Sequence, residues 1–311
     1  MAPGGTGCID SVTILANSDI HFLRFYAFLR APFVFFVHFV VRSKLWIAAA
    51  IAVALISPAR ADQVPDRYPQ IAKAYLVQVG ESDLWSGHAD ERLPPASLTK
   101  IMTALLVLED YRPAQVVTIS ATAAKYTSSV KLQVGDRLTV EALLTATLLA
   151  SANNACAALA ETMAGDVSAF VAKMNARAQA LGLTNTHFAN PCGFDARGHY
   201  SSARDLAHLA HAALAHPEFG ALVAKAEATI ATVDGGRSFH LRNRNALIGS
   251  YAPAIGVKTG YTSGAGTCLI ALAQKGDVRV LLVMLKARRR WWDAIGVIEN
   301  AFDEAMAHDA Q

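Results

Sequence analysis

The sequence predicts a mixed α/β (α+β) fold, with one antiparallel sheet that holds both ends of the domain and helices on both of its faces. Three observations predict it. Near the start, Ala72–Val79 is an apolar run with strand composition. Near the end, Thr267–Ala273 and Val278–Leu285 are two more such runs, joined by Gln274-Lys275-Gly276-Asp277, a hairpin signature with Gly-Asp in the turn. Between them, from Ser97 to Ala215, helical patterns dominate. Strands at both ends with helices between them belong to one sheet.

The residues before the first strand do not belong to this fold. Arg42-Ser43-Lys44 is a short basic region, Leu45–Ile56 is an apolar run, and Ala59-Arg60-Ala61 before Asp62 has the form of a cleavage site. That order is a secretory signal peptide; a membrane span needs roughly 20 apolar residues. Residues 1–41, with a second apolar stretch at Phe33–Val41, read as an upstream extension of the translation start. Left uncleaved, they would lengthen a membrane-retained anchor. The division expected is therefore 1–61 for extension and signal peptide and 62–311 for one catalytic domain, with no second, C-terminal β domain.

Composition agrees. Of 311 residues, 53% are hydrophobic, enough to build the core of one domain of about 250 residues. With 28 basic and 25 acidic residues the formal charge is +3, too balanced to argue for nucleic acid. Cys156, Cys192 and Cys268 are the cysteines of the domain, so an oxidising compartment permits at most one bridge. Cys156 reads as a buried thiol. His208, His211 and His216 lie on or just beyond an alanine-rich helix, Ala203–Ala215, with no acidic or cysteine partner nearby. No metal and no cofactor are expected.

Ser97-Leu98-Thr99-Lys100 follows Pro94-Pro95, which disfavours a helix before it. Leu98, Ile101, Met102 and Leu105 then recur at helical spacing, so the helix starts at Ser97. Residues three apart on a helix share a face, with Cβ atoms about 5–6 Å apart. Ser97 thus has a lysine within reach as base, and unpaired backbone N–H groups that could hold an oxyanion. Taken alone, the motif reads more simply as a capping serine and a surface lysine.

Ser151-Ala152-Asn153 lies between the helical runs Val140–Ala150 and Ala155–Met163, where its side chains can enter a cleft. Ser151 could relay a proton, and Asn153 could bind a substrate amide; the plain alternative is a capping turn. Lys258-Thr259-Gly260 precedes the terminal hairpin, so Lys258 is placed on a strand of the same sheet. An edge there could pair with an extended peptide, with Lys258 facing its carboxylate and Gly260 leaving room for the approach. A second hairpin is expected around Asp234-Gly235-Gly236, between Thr229–Val233 and Arg237–Leu241. A helix from Trp291 to Ala307 closes the domain, its tryptophans packed on the sheet; the basic stretch Lys286–Trp292 could alternatively touch anionic lipid.

Three such motifs in this order resemble those of the low-molecular-mass penicillin-binding proteins, the serine-type D-alanyl-D-alanine carboxypeptidases. The resemblance runs from about Tyr75 to about Phe302. It includes Pro95-Ala96 before the nucleophile, Leu181-Gly182-Leu183-Thr184-Asn185-Thr186, Tyr200-Ser201-Ser202-Ala203-Arg204-Asp205 and Asn243-Arg244-Asn245. It implies a five-stranded antiparallel sheet flanked by helices, plus an all-helical subdomain. It implies an acyl-enzyme on Ser97 with Lys100 as base, and Ser151 and Asn153 in the proton relay. Lys258, Thr259 and Arg244 would bind the terminal carboxylate, and Gly260 belongs to the same motif. The N–H groups of Ser97 and Tyr261 would form the oxyanion hole. The partners implied are peptidoglycan stem peptides, and β-lactam antibiotics as covalent inhibitors, in the periplasm or cell envelope. Ala152 stands where the family usually has glycine.

The alternatives are a D,D-endopeptidase, a β-lactamase and a non-catalytic penicillin sensor. A class A β-lactamase needs a dedicated glutamate; Glu161, Glu218 and Glu227 are the only glutamates between Ser151 and Lys258, and none lies in the expected pattern. If the signal peptide is processed as read, N-terminal sequencing of protein from the cell envelope starts at Asp62. Material that retains Lys44 would refute this.

Overall fold

The structure, a computed structural model, describes residues 64–309. The signal peptide and its cleavage site lie outside the described residues.

Five strands form the main sheet: β1 (Ala72–Val79), β2 (Ser82–Gly87), β7 (Ala254–Thr262), β8 (Gly266–Lys275) and β9 (Val278–Ala287). Their order is β2-β1-β9-β8-β7, every neighbouring pair antiparallel. Two short ribbons lie apart from it: β3 (Val116–Thr118) with β4 (Arg137–Thr139), and β5 (Glu227–Ala231) with β6 (Ser238–Arg242). The helices are α1 (Lys100–Glu109), α2 (Ala121–Ala124), α3 (Val140–Leu149), α4 (Asn153–Ala164), α5 (Val167–Ala180), α6 (Ala203–Leu214), α7 (Pro217–Val223) and α8 (Arg290–Asp309).

The strands are apolar almost throughout because both faces of the sheet are covered. On β1, Ala74 and Leu76 enter the core shared with helices α1 to α7, while Tyr75 and Val77 point the other way. On β9, Leu281, Val283 and Leu285 face that first core, and Val280, Leu282 and Met284 face the second. Helix α8 closes the second core with Ala294, Val297, Ile298, Ala301 and Phe302. Several helix starts are set by side chains that accept from free backbone N–H groups: Thr139 from Ala142 at α3, Asp166 from Ala169 at α5, and Ser202 from Asp205 at α6.

Strand β1, the β8–β9 hairpin and the strand carrying Lys258 form where the sequence places them. The start of α1 differs. Ser97 lies in a 3₁₀ turn, Ala96–Thr99, and the α-helix begins at Lys100. Ala96 has φ +50, and the Thr99 hydroxyl donates to its carbonyl at 2.8 Å, which winds the turn tighter than α. The β3–β4 ribbon interrupts the helical region; three-residue strands are too short to register as a period. At α8, Trp291 packs against the second core, but Trp292 is 81% exposed, a correction to the expectation that both rings pack. Nor is Cys156 a thiol: it is bonded to Cys192, with Cα atoms 6.0 Å apart, and Cys268 is the buried free cysteine among the described residues. Nothing local marks this pair, because the partners belong to different elements.

Candidate active site

Residues from all three motifs line a single cleft of about 400 Å³ between the helices and β7: Ser97 from the first, Ser151 and Asn153 from the second, Thr259 and Gly260 from the third. Tyr261, Arg244 and Arg290 complete it on the sheet side, and Thr127, Ser128 and Ser129 on the helical side.

Lys100 sits behind Ser97 and is fully buried. Its Nζ lies 2.9 Å from Ser97 Oγ, 2.9 Å from Asn153 Oδ1 and 2.5 Å from the Cys192 carbonyl. Burial pushes its pKa well below the ordinary lysine value, and the positive charge of Lys258 pushes in the same direction. A neutral amine suits these three neighbours. Its two N–H groups donate to Asn153 Oδ1 and the Cys192 carbonyl, and its lone pair accepts from the Ser97 hydroxyl. Asn153 is itself fixed, since its Nδ2 donates to the Thr127 carbonyl at 2.8 Å. Both ends of this amide are engaged inside the protein, so here it orients Lys100.

Ser151 faces the cleft in the left-handed region, φ +56. Its hydroxyl has no hydrogen-bond partner among the described residues and is open to a ligand. Ala152 has φ −66 and ψ 116, a conformation any residue adopts, so alanine needs no glycine-like freedom here.

The third motif departs from expectation in two ways. Lys258 is only 1% exposed and donates to the Thr259 carbonyl at 2.9 Å. It stands behind the cleft wall, and burial, with Arg244 and Arg290 nearby, lowers its pKa to about 7. Thr259, Arg244 and Arg290, by contrast, line the cleft itself. The space that a side chain on Gly260 would fill is also taken by the protein, although Gly260 itself lines the cleft. A Cβ there would lie 2.9 Å from Ala96 Cβ and 3.1 Å from both Pro95 O and Ser97 N. The glycine lets β7 pack against the nucleophile turn.

Arg290 was not singled out by sequence. Its Nη1 donates to the carbonyls of Gly260 and Cys268 at 3.1 and 3.2 Å. It reads locally as one of several basic residues opening a helix; only the β9-β8-β7 order carries it to the cleft.

A second set of residues holds the nucleophile turn from behind. Asn190 Oδ1 accepts from the N–H groups of Cys192, Gly193 and Phe194 at 2.7–3.2 Å, shaping a tight loop. Gly193, at φ +88, brings that loop against the turn: a Cβ there would fall 1.9 Å from Ala96 O. The Cys156–Cys192 bridge ties the loop to α4, which carries Asn153. His199 completes the frame. Its Nδ1 accepts from the Ala189 N–H at 2.9 Å, so the ring proton sits on Nε2 and is donated to Thr99 Oγ1, also at 2.9 Å. Thr99 in turn donates to Ala96 O. Burial, with a smaller effect of His187, lowers the His199 pKa to about 4.

The site thus sets a buried lysine amine against a serine on a 3₁₀ turn beside an edge strand. The family follows. The D-alanyl-D-alanine carboxypeptidase model of peptidase family S11 matches residues 71–289, and the chain belongs to that family. It is 36% identical over 234 residues to the D-alanyl-D-alanine carboxypeptidase DacF of Bacillus subtilis, covering 72% of this chain and 60% of the relative. It is 39% identical over 220 residues to DacC of Escherichia coli, covering 66% and 53%. The chain thus spans somewhat more than half the length of these curated relatives. The crystal structure of a Streptomyces DD-transpeptidase superposes with a TM-score of 0.71 at 33% identity, covering 75% of this chain and 98% of that one.

Two outcomes are expected. Gly193→Ala should cost at least about 2 kcal/mol, from positive φ and a backbone clash together, and should slow penicillin acylation. Gly165→Ala, also at positive φ but with open space around it, should cost only about 1 kcal/mol and leave acylation unchanged. Thermal unfolding with acylation kinetics reads both. For His199, the unfolded ring (ordinary pKa 6.5) takes up a proton between pH 6.5 and 4 that the folded ring refuses. Its contribution is therefore full above about pH 6.5 and is lost as pH falls toward 4, by up to about 3 kcal/mol. Urea unfolding across this range should show a shallower pH slope for His199→Gln; identical slopes would assign the acid sensitivity to other groups.

Proposed function

We propose that this chain is a serine D-alanyl-D-alanine carboxypeptidase of the cell envelope, removing the terminal D-alanine from peptidoglycan pentapeptide through an acyl-enzyme on Ser97. The observation that carries the reading is the Lys100 amine, buried, depressed in pKa and 2.9 Å from Ser97 Oγ. Such an amine accepts the serine proton as Oγ attacks the carbonyl between the two D-alanines. The N–H groups of Ser97 and Tyr261 receive the oxyanion. The C–N bond then breaks, and the proton passes from Lys100 through Ser151 to the departing amine. Water next attacks the ester, Lys100 takes its proton and returns it to Ser97 Oγ as the ester bond breaks, and the shortened peptide leaves.

β7 is an edge strand, so an extended peptide can add beside it. The terminal carboxylate would meet Thr259, Arg244 and Arg290, with the Lys258 charge behind them. The same contacts would seat the carboxylate of a β-lactam, whose carbonyl acylates Ser97. Deacylation through Lys100 asks for no glutamate. Glu161, for example, accepts from Ser120 at 2.6 Å, and no carboxylate lines the cleft among the described residues. The disulfide fits an oxidising compartment outside the cytoplasm.

The test is D-alanine release from pentapeptide, run beside cleavage of a cross-linked peptide dimer. Faster cleavage of the dimer would make the protein an endopeptidase instead. Lys100→Arg keeps the charge but cannot accept a proton. It should lower the second-order rate of penicillin acylation by about 10²–10⁴-fold with the circular dichroism spectrum unchanged. A folded variant that acylates within a few-fold of wild type would transfer the role of base to Ser151.

A further inference from the structure

The active site absorbs only part of the basic and aromatic stretch Lys286–Trp292. Arg290 turns inward to the carbonyls of β7 and β8. Trp291 packs against the second core, with the Arg290 guanidinium 4.3 Å from its ring centre. The others face out. Lys286, Arg288 and Arg289 are exposed. Trp292, at 81%, is the most exposed large apolar side chain among the described residues.

These groups gather at one end of the main sheet. Strand register puts Tyr261, Thr267, Ala287 and Ala72 in one row across β7, β8, β9 and β1, and β9 passes into α8 just beyond that row. At the β7 end of the row, Tyr261 is 68% exposed. At the β1 end lies a cleft of about 450 Å³ whose lining includes Lys73, His88, Lys286 and Arg288 and, among the described residues, no carboxylate. Lys73 is 3.3 Å from Glu91, and Arg289 is 3.4 Å from Asp293. Asp195 is engaged by the Thr262 hydroxyl and the Gly264 N–H. Lys286 and Arg288 have no carboxylate within 4 Å among the described residues.

An exposed indole pairs a large apolar body with one polar N–H, which suits the layer where lipid headgroups meet hydrocarbon. Unpaired cations nearby attract anionic headgroups. We infer that this end of the domain is a peripheral docking surface for an anionic phospholipid bilayer, with Trp292 entering the headgroup layer and Lys286 and Arg288 meeting lipid phosphates. Two independent features carry the inference, one apolar and one electrostatic. Among the described residues no single helix is long and apolar enough to cross a membrane, so the contact is one of surface. Tyr261 lines the active-site cleft and shares this end of the sheet, so a docked domain holds its cleft near the lipid. The inference does not rest on the carboxypeptidase reading.

The experiment uses the processed chain, Asp62–Gln311, which keeps the whole compact unit and removes the apolar leader as a competing lipid anchor. Its tryptophans are Trp85, Trp291 and Trp292, and of these only Trp292 is exposed. Cosedimentation measures binding to vesicles of phosphatidylcholine alone and of equal parts phosphatidylcholine and phosphatidylglycerol. Wild type should bind the anionic vesicles, less so with added salt, and its tryptophan emission should shift to the blue. Trp292→Ser should remove the shift and weaken binding severalfold, whereas Trp292→Phe should keep the binding. Lys286→Gln/Arg288→Gln should weaken binding by about 10- to 30-fold, at about fivefold per cation. Lys131→Gln/Arg242→Gln makes the same charge change on exposed residues away from the main sheet and should bind as wild type does. Circular dichroism checks that each variant is folded. Equal partition into both vesicles or into neither, binding without an emission shift, or an equal loss in the two double variants would overturn the docking surface. So would an equal affinity for soluble polyphosphate, which would assign this face to an anionic polymer.

Discussion

The site depends on keeping the Lys100 amine out of water. A lysine side chain in solution is a solvated cation and no base at neutral pH. Here it is completely buried, and the surrounding protein supplies two carbonyl oxygens and one hydroxyl. That set matches the two N–H groups and one lone pair of a neutral amine. Desolvation disfavours the charged form, and Lys258 disfavours it further. Each partner comes from a different part of the chain: Ser97 from the 3₁₀ turn, Asn153 from the start of α4, Cys192 from the loop shaped by Asn190. The disulfide joins the last two, so the acceptors around Nζ hold their places together.

The nucleophile turn is tight for the same reason. Ala96 adopts positive φ, and three elements press on it: β7 through Gly260, the 190–194 loop through Gly193, and His199 through Thr99. Only glycine allows the first two approaches. The strained backbone aims Ser97 into the cleft while Lys100, at the start of α1, points inward. Behind this sits a sheet covered on both faces, whose edge strand forms the cleft wall.

Electrostatics run in one direction across the site. Lys100, Lys258, Arg244 and Arg290 gather around the cleft, and no carboxylate lines it among the described residues. Burial disfavours the charged form of both lysines, of Lys100 most strongly, while the two arginines stay charged. Under the proposed reading, the proton acceptor and the anion-binding groups are thus separated by burial and by side-chain chemistry, although all four are basic.

What the sequence determined by itself is what short-range patterns encode. The apolar runs of β1, β8 and β9, the Gly-Asp turn, the helical recurrence after Ser97 and the three-residue step from Ser97 to Lys100 are all local, and all are present in the structure. The three motifs in order also sufficed to indicate one cleft. Tertiary structure alone decided which groups touch. Arg290 reaches the cleft only through strand order, and Cys156 meets Cys192 only when α4 packs under the Asn190 loop. His199 meets Thr99 across a long stretch of chain. The space that a side chain on Gly260 would fill belongs to the nucleophile turn, and Lys258 lies behind the wall it was expected to line. Trp292 faces solvent despite its apolar character. Such contacts join residues far apart in sequence, and their geometry is set by register and packing, to which no local pattern refers.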